Sequence, residues 1–149
     1  MRIASLSYLD EHATVIGAGV DEVWSVLVDT VDRSFSRGPM ARYAGLIGAT
    51  DPTATGPRPL TEGSTVPGFR VAAAIPGREL VLVGRHRFST YALIFHLEQV
   101  TTGRTRLLAE SRADFPGLAG KFYRQLVVAT GGHVIAVRRL LEAVRRRSE

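Results

Sequence analysis

Polar and apolar side chains alternate with a period of two through the middle of this chain, and the period lengthens to about 3.6 near each end. Residues 8–16 alternate and stop at Gly17, which predicts a first, edge-like strand. Val20, Val23, Trp24, Leu27 and Val31 then fall on one helical face, with Asp21 and Glu22 placed to complement the positive end of its dipole. That helix is expected to end near Asp29, with a second short one continuing to about Phe35. Residues 43–49 read as a strand. Residues 51–63 carry Pro52, Gly56, Pro57 and Pro59 among threonines and predict a loop, long enough to be functional and equally able to be filler. A meander follows, with strands over 68–75, 78–88, 91–97 and 105–113. They are joined by turns at Pro76-Gly77, Ser89-Thr90 and Thr102-Gly103. Leu80, Leu82, Gly84, His86 and Phe88 share one face of their strand; Tyr91, Leu93, Phe95 and Leu97 share one face of the next.

After Pro116-Gly117 the period changes again. From 118 to 147 there is no proline. Ala119, Phe122, Leu126, Val137, Leu140 and Val144 line one face, opposite Lys121, Arg124, Arg139, Glu142 and Arg146. This predicts one long amphipathic helix, ~45 Å if unbroken at ~1.5 Å per residue. Laid across a curved antiparallel sheet, such a helix encloses a space. Gly131-Gly132 interrupts its inner stripe at a cost of about 1 kcal/mol per glycine relative to alanine, which points to a kink, a close backbone approach or room for a ligand.

Composition narrows the class. With 149 residues the chain fits a single domain, 1–149, and 45% apolar against 22% charged residues argues for a packed core rather than disorder. The chain has no cysteine, which removes disulfides, thiolate ligands and cysteine nucleophiles together. The N-terminal residues lack the apolar core of a signal peptide and no run approaches the ~20 apolar residues of a membrane span, so a cytoplasmic protein is expected. The net charge of +5 gathers at Arg138, Arg139 and Arg145 to Arg147. Cations there complement a helix C-terminus. A nucleic-acid patch is the sharper alternative, but few aromatics are interleaved and no recognition motif is present, so no nucleic-acid partner is expected.

Candidate chemistry rests on histidines. His133 falls within about 20° of the inner stripe centred on Leu126, at 100° per residue. It is either a satisfied core histidine or a cavity-lining one. His86 lies on the inner face of its strand and poses the same alternative; a neutral imidazole there would orient a carbonyl or hydroxyl, or act as acid or base. Tyr91, Ser111, Tyr123 and Thr130 lean inward as well. His96 is expected to be exposed, and His12 shows no partner in sequence. Glu98, Glu110 and Asp114 alternate with inward residues and should face out, which weakens a paired-carboxylate hydrolase. The histidine spacing matches no metal motif, and neither a phosphate loop nor a GxSxG elbow is present. Gly17-Ala18-Gly19 lacks the third glycine of a dinucleotide fingerprint. No metal and no cofactor are therefore expected. Trp24, Phe69, Phe88, Phe95 and Phe115 first make a core. Val128 and Ile135 flank Gly131 on the back of the long helix and would suit a second subunit, giving a homodimer as a candidate assembly.

The order of these elements resembles the SRPBCC superfamily, the helix-grip fold of START domains, pollen-allergen-like proteins and polyketide cyclase/dehydrase-like proteins. The resemblance is carried by Val23-Trp24-Ser25-Val26-Leu27-Val28-Asp29, by Phe95-His96-Leu97-Glu98 leading into the Gly103-Arg104-Thr105-Arg106-Leu107 hairpin, and by the long C-terminal helix. It implies an α+β fold in which a curved antiparallel sheet, with two short helices after its first strand, wraps around that helix and an apolar pocket. It implies no shared reaction. The leading expectation is a small apolar or aromatic ligand bound between sheet and helix by Phe69, His86, Phe88, Tyr91, Phe95, Tyr123, Leu126, Thr130 and His133. The alternatives are a cyclase or dehydratase using one of the histidines, and an interaction module with a solid core.

Overall fold

A computed structural model describes residues 3–37 and 39–149; the side chains at positions 4, 39–41, 43, 126–130 and 132 lie outside the described part. After a 3-10 turn at Ile3–Ser5 come β1 (Tyr8–Ile16), α1 (Val20–Ser36), α2 (Pro39–Leu46), β2 (Thr65–Val66), β3 (Phe69–Ile75), β4 (Glu79–Arg85), β5 (Thr90–Thr101), β6 (Arg104–Asp114), α3 (Gly117–Thr130) and α4 (Gly132–Ser148). The strands form one antiparallel sheet in the order β1-β6-β5-β4-β3-β2, so β1 is an edge strand, as its weak alternation predicts. Register shifts between Tyr8 and Asp10, Val71 and Ala73, and Gln99 and Thr101 each add a residue to one side of a ladder. Bulges of this kind bend their strands and give the sheet its curvature.

The concave face carries the main core. Ile16, Leu80, Leu82, Phe95 and Leu107 from the sheet meet Val23, Leu27 and Val31 of α1 and Val137, Leu140 and Val144 of α4, all buried. Trp24 is partly buried against this cluster, as a core anchor should be. A second, smaller cluster lies on the opposite face: Leu6, Val81, Val83, Ala92 and Ile94, with Ile3 of the 3-10 turn packed over them. Burial on both faces explains why residues 80–83 read Leu-Val-Leu-Val instead of alternating with polar side chains.

Three expectations are corrected. Residues 43–49 are not a strand: α2 begins at Pro39, a residue whose fixed φ and missing N–H suit the first helical position, and runs to Leu46. The region from Val20 to Ser36 is one helix, not two, because its apolar period continues through Val28 and Val31 without a breaker. The C-terminal helix is two helices. Gly131 has φ 68°, ψ 6°, a left-handed conformation that side-chain-bearing residues adopt only with strain, and it separates α3 from α4. The helical register does not carry across that break. Phe122, expected inside, is 68% exposed, and Ala119 is exposed too, whereas Gly120 and Tyr123 turn inward.

The C-terminus is tied back to the start of the fold. Arg147 donates to the Asp29 carboxylate (2.6 Å) and to Thr30 Oγ1, and the Gly17 N–H donates to the Glu149 carboxylate (2.8 Å). The arginine hydrogen bond holds the Asp29 carboxyl below its ordinary value. Arg145 pairs with Glu142 and Glu149. Three of the clustered arginines, Arg145, Arg146 and Arg147, are thus paired at this end. The proline-threonine loop is likewise fixed: Arg58 donates to Asp32 of α1 (2.9 Å) and to the carbonyls of Thr55 (2.9 Å) and Thr65 (2.9 Å).

Candidate functional site

A cavity of about 210 Å³ lies between the concave sheet face and the helices. Its wall is mostly apolar and draws on eight elements, among them Leu9 of β1, Phe35 of α1, Ala44 of α2, Phe69 of β3, Tyr123 of α3 and Leu140 of α4, with β5 and β6 beside them. Of the residues expected at a binding site, Phe69, His86, Tyr91, Tyr123 and His133 are on this wall. Phe88 stands behind it, its ring stacked on Tyr123 (centroids 5.3 Å apart, planes at 17°). Phe95 is fully buried in the main core and does not reach the cavity, because it sits deeper along β5 than Tyr91 and Leu93, under α1 and α4. The side chains of Leu126 and Thr130 lie outside the described residues.

One end of the cavity is aromatic. His86 is ringed by Tyr91 (centroids 5.2 Å), Tyr123 (5.1 Å) and Phe88 (6.2 Å). The turn that follows β4 holds it: the Phe88 N–H donates to His86 Nδ1 (3.0 Å), and the His86 N–H donates to the Ser89 carbonyl (2.9 Å). An accepting Nδ1 puts the ring proton on Nε2, which faces Ser89 Oγ at 3.3 Å. Burial lowers the His86 pKa below the ordinary histidine value, so the ring is held neutral. Tyr91 crosses β4 to donate its hydroxyl to the Gly68 carbonyl (2.6 Å), and Phe69 packs edge-on against its ring (5.1 Å). The crossing requires glycine at position 84: a Cβ there would overlap both the Gly68 carbonyl and the Tyr91 ring.

The other end is polar. His133, in the first turn of α4, brings Nε2 to 3.0 Å from Ser111 Oγ on β6 and 3.4 Å from Asp10 Oδ1 on β1. Asp10 and Ser111 are direct partners in the β1–β6 ladder. The other Asp10 oxygen lies 3.4 Å from His12 Nε2. This gives His12 a partner that the sequence did not show. Serine, histidine and aspartate are together here, yet they do not form a nucleophilic triad. A triad uses one ring nitrogen for the serine and the other for the carboxylate, whereas a single nitrogen, Nε2, meets both groups.

Asp10, absent from the candidate residues, had a signal in the alternation: it lies two residues before His12 and six before buried Ile16, on the same face of β1. The bulge next to it also turns Leu9 onto the cavity wall. Ala44 and Ile47 were missed because their segment was read as a strand. Arg112 borders the cavity, but its guanidinium turns away to Glu110 and to the Leu6 carbonyl (3.1 Å). His96, expected to be exposed, is half-buried on the sheet's other side, 3.6 Å from Glu110 and 3.9 Å from Glu79. Ile135 is exposed on α4, while the Val128 side chain is outside the described residues. Among the described residues no group of three or more His, Cys, Asp or Glu side chains is arranged to hold a metal, and no helix is long and apolar enough to cross a membrane.

No protein-family model matches the sequence, and no curated protein matches it. Solved structures do. The chain is similar to the Zhui aromatase/cyclase from Streptomyces (14% identity, TM-score 0.60, covering 96% of this chain and 93% of that one). It is also similar to CalU16 from Micromonospora echinospora (16%, 0.53, 97% and 92%) and to the Aha1 dimer from Colwellia psychrerythraea (13%, 0.54, 91% and 94%). These likenesses span nearly the whole chain and establish its architecture, an α+β helix-grip fold in which a curved antiparallel sheet meets the C-terminal helices.

Proposed function

We propose that this protein binds a small, largely apolar ligand carrying one or two aromatic rings in the cavity between sheet and helices. The observation that carries this reading is a single mostly apolar space bordered by both His86 and His133. Its size limits the ligand: a cavity of about 150 Å³ lined by aliphatic and aromatic groups is enough to hold benzene, so 210 Å³ suits one ring or two fused rings. Affinity would come from removing the rings from water, at roughly 25 cal/mol per Å² of apolar surface. Edge and face contacts with Phe69, Tyr91 and Tyr123 would orient the rings.

A cyclase-like reaction is the second reading, supported by the position of His133 at a polar cavity end and by the aromatase/cyclase among the structural neighbours. Binding ranks above it because His86, the other histidine on the wall, has both ring nitrogens engaged by its own turn.

Ligand-observed NMR titration with naphthalene tests the binding reading. Wild type is expected to bind in the micromolar to low millimolar range. Ala113→Phe, which places a ring in the space, should weaken binding at least tenfold while leaving the thermal midpoint within a few degrees. Equal binding by both proteins would place the probe elsewhere and overturn the reading.

A further inference from the structure

The polar end of the cavity fixes which hydrogen-bonding group a ligand can bring. The chain of donors and acceptors starts at Asp10, whose ionised carboxylate only accepts. His133 Nε2 faces it at 3.4 Å and Ser111 Oγ at 3.0 Å. A lone pair on Nε2 would oppose the carboxylate, so Nε2 carries a hydrogen, in the neutral Nε2–H tautomer and in the imidazolium alike. That N–H donates to Ser111 Oγ, and Ser111 Oγ is therefore already an acceptor. Its own hydroxyl hydrogen is left over. Among the described residues no other acceptor is in hydrogen-bonding range of it, although Ser111 is 97% removed from solvent and borders the cavity. A buried hydroxyl without an acceptor is costly, so the site is completed by an acceptor that arrives with the ligand.

We infer that Ser111, oriented by the Asp10–His133 pair, is a hydrogen-bond donor that selects a neutral aromatic ligand bearing a carbonyl oxygen. This rests on the binding reading above and adds to it the ligand's polar group and its position. The neutrality follows from charge. The cation at the wall, Arg112, is turned to Glu110, and Asp10 stands beside the polar end, so a carboxylate ligand would be desolvated next to a like charge. A hydrocarbon of the same shape would leave the Ser111 hydroxyl unpaired. A site built around a hydrogen bond discriminates strongly against a ligand that lacks the partner.

Acetophenone and α-methylstyrene form the testing pair, since they differ in C=O against C=CH₂ at nearly constant shape. Calorimetric or NMR titration of wild type should show acetophenone binding at least fivefold tighter. Ser111→Ala should remove that preference while binding α-methylstyrene at least as well as wild type does. The carbonyl stretch of bound acetophenone should lie at lower frequency in wild type than in Ser111→Ala, a change that a purely structural role for Ser111 would not produce. Equal affinities in wild type, or an unshifted carbonyl band, overturn the donor assignment while leaving the apolar cavity reading intact. Absence of binding by both compounds overturns the cavity reading and this inference with it.

Discussion

His86 shows how a residue's role is decided by what surrounds it more than by what it is. Its inward direction was legible from the alternation through Leu80, Leu82 and Gly84, although it stands in the turn after β4 and not on the strand. The neutrality of the ring was not legible, because it depends on the Phe88 N–H aimed at Nδ1 and on rings from two other elements. The consequence is a pH dependence with a definite sign. The folded-state pKa is lowered, so in the window between it and the unfolded value near 6.5 the unfolded chain binds more protons. Stability is then full above about pH 6.5 and falls as the pH drops through that window. Urea unfolding at pH 7.5 and pH 5 should show wild type losing more stability than His86→Asn, whose amide oxygen can still accept from Phe88. Parallel losses in the two proteins would mean that His86 titrates as a free histidine. Asp10 makes the complementary point at the same scale. Its inward direction was readable from Ile16 by twos, but its meeting with His133 spans most of the chain and no local pattern announces it.

Among elements, strands were read best and helix junctions worst. The first strand and the Pro-Gly and Thr-Gly turns appear where local signals put them, but the strand expected over 78–88 stops at Arg85, residues 86–89 turn the chain, and the next strand runs from Thr90 to Thr101. The C-terminal region failed at one backbone position. A helical wheel assumes constant rotation, and Gly131 in the left-handed region breaks it, so the stripe drawn through Ala119 and Phe122 faces out, while Tyr123, also expected to lean inward, does so. The glycine pair was visible in the sequence; its φ was not. Among the described residues nothing lies within 4 Å of where a Cβ at Gly131 would stand, and the φ of 68° strains any residue that carries one. Gly131→Ala should lower stability by about 1 kcal/mol, the left-handed penalty of roughly 1–2 kcal/mol less the smaller unfolded-state gain from removing a glycine. Chemical denaturation measures it directly. A neutral or stabilising result would indicate that α3 and α4 join into one straight helix at no cost.

At the scale of the whole molecule, the sequence supports the architecture while leaving open whether its centre is solid or hollow. The same phenylalanines and tyrosines would serve either outcome, and the structure divides them: Phe95 goes to the core, Phe69 and Tyr91 to the cavity wall. What separates the two sets is the curvature of the sheet and the placing of α2 and α3, both set by contacts distant in sequence. The helix-grip arrangement, shared with the Zhui aromatase/cyclase and CalU16 structures at low identity, makes such a space without dictating its chemistry. The aromatic end and the Asp10–His133–Ser111 end belong to one cavity, and the account stands or falls on a ligand entering it. A crystal soaked with bromobenzene, with diffraction recorded at the bromine edge, is the most direct measurement. The account predicts an anomalous peak inside the cavity, between Tyr91, Tyr123 and Leu140, that disappears in Ala113→Phe. A cavity filled by repacked side chains, with bromine found only on the outer surface, would contradict it.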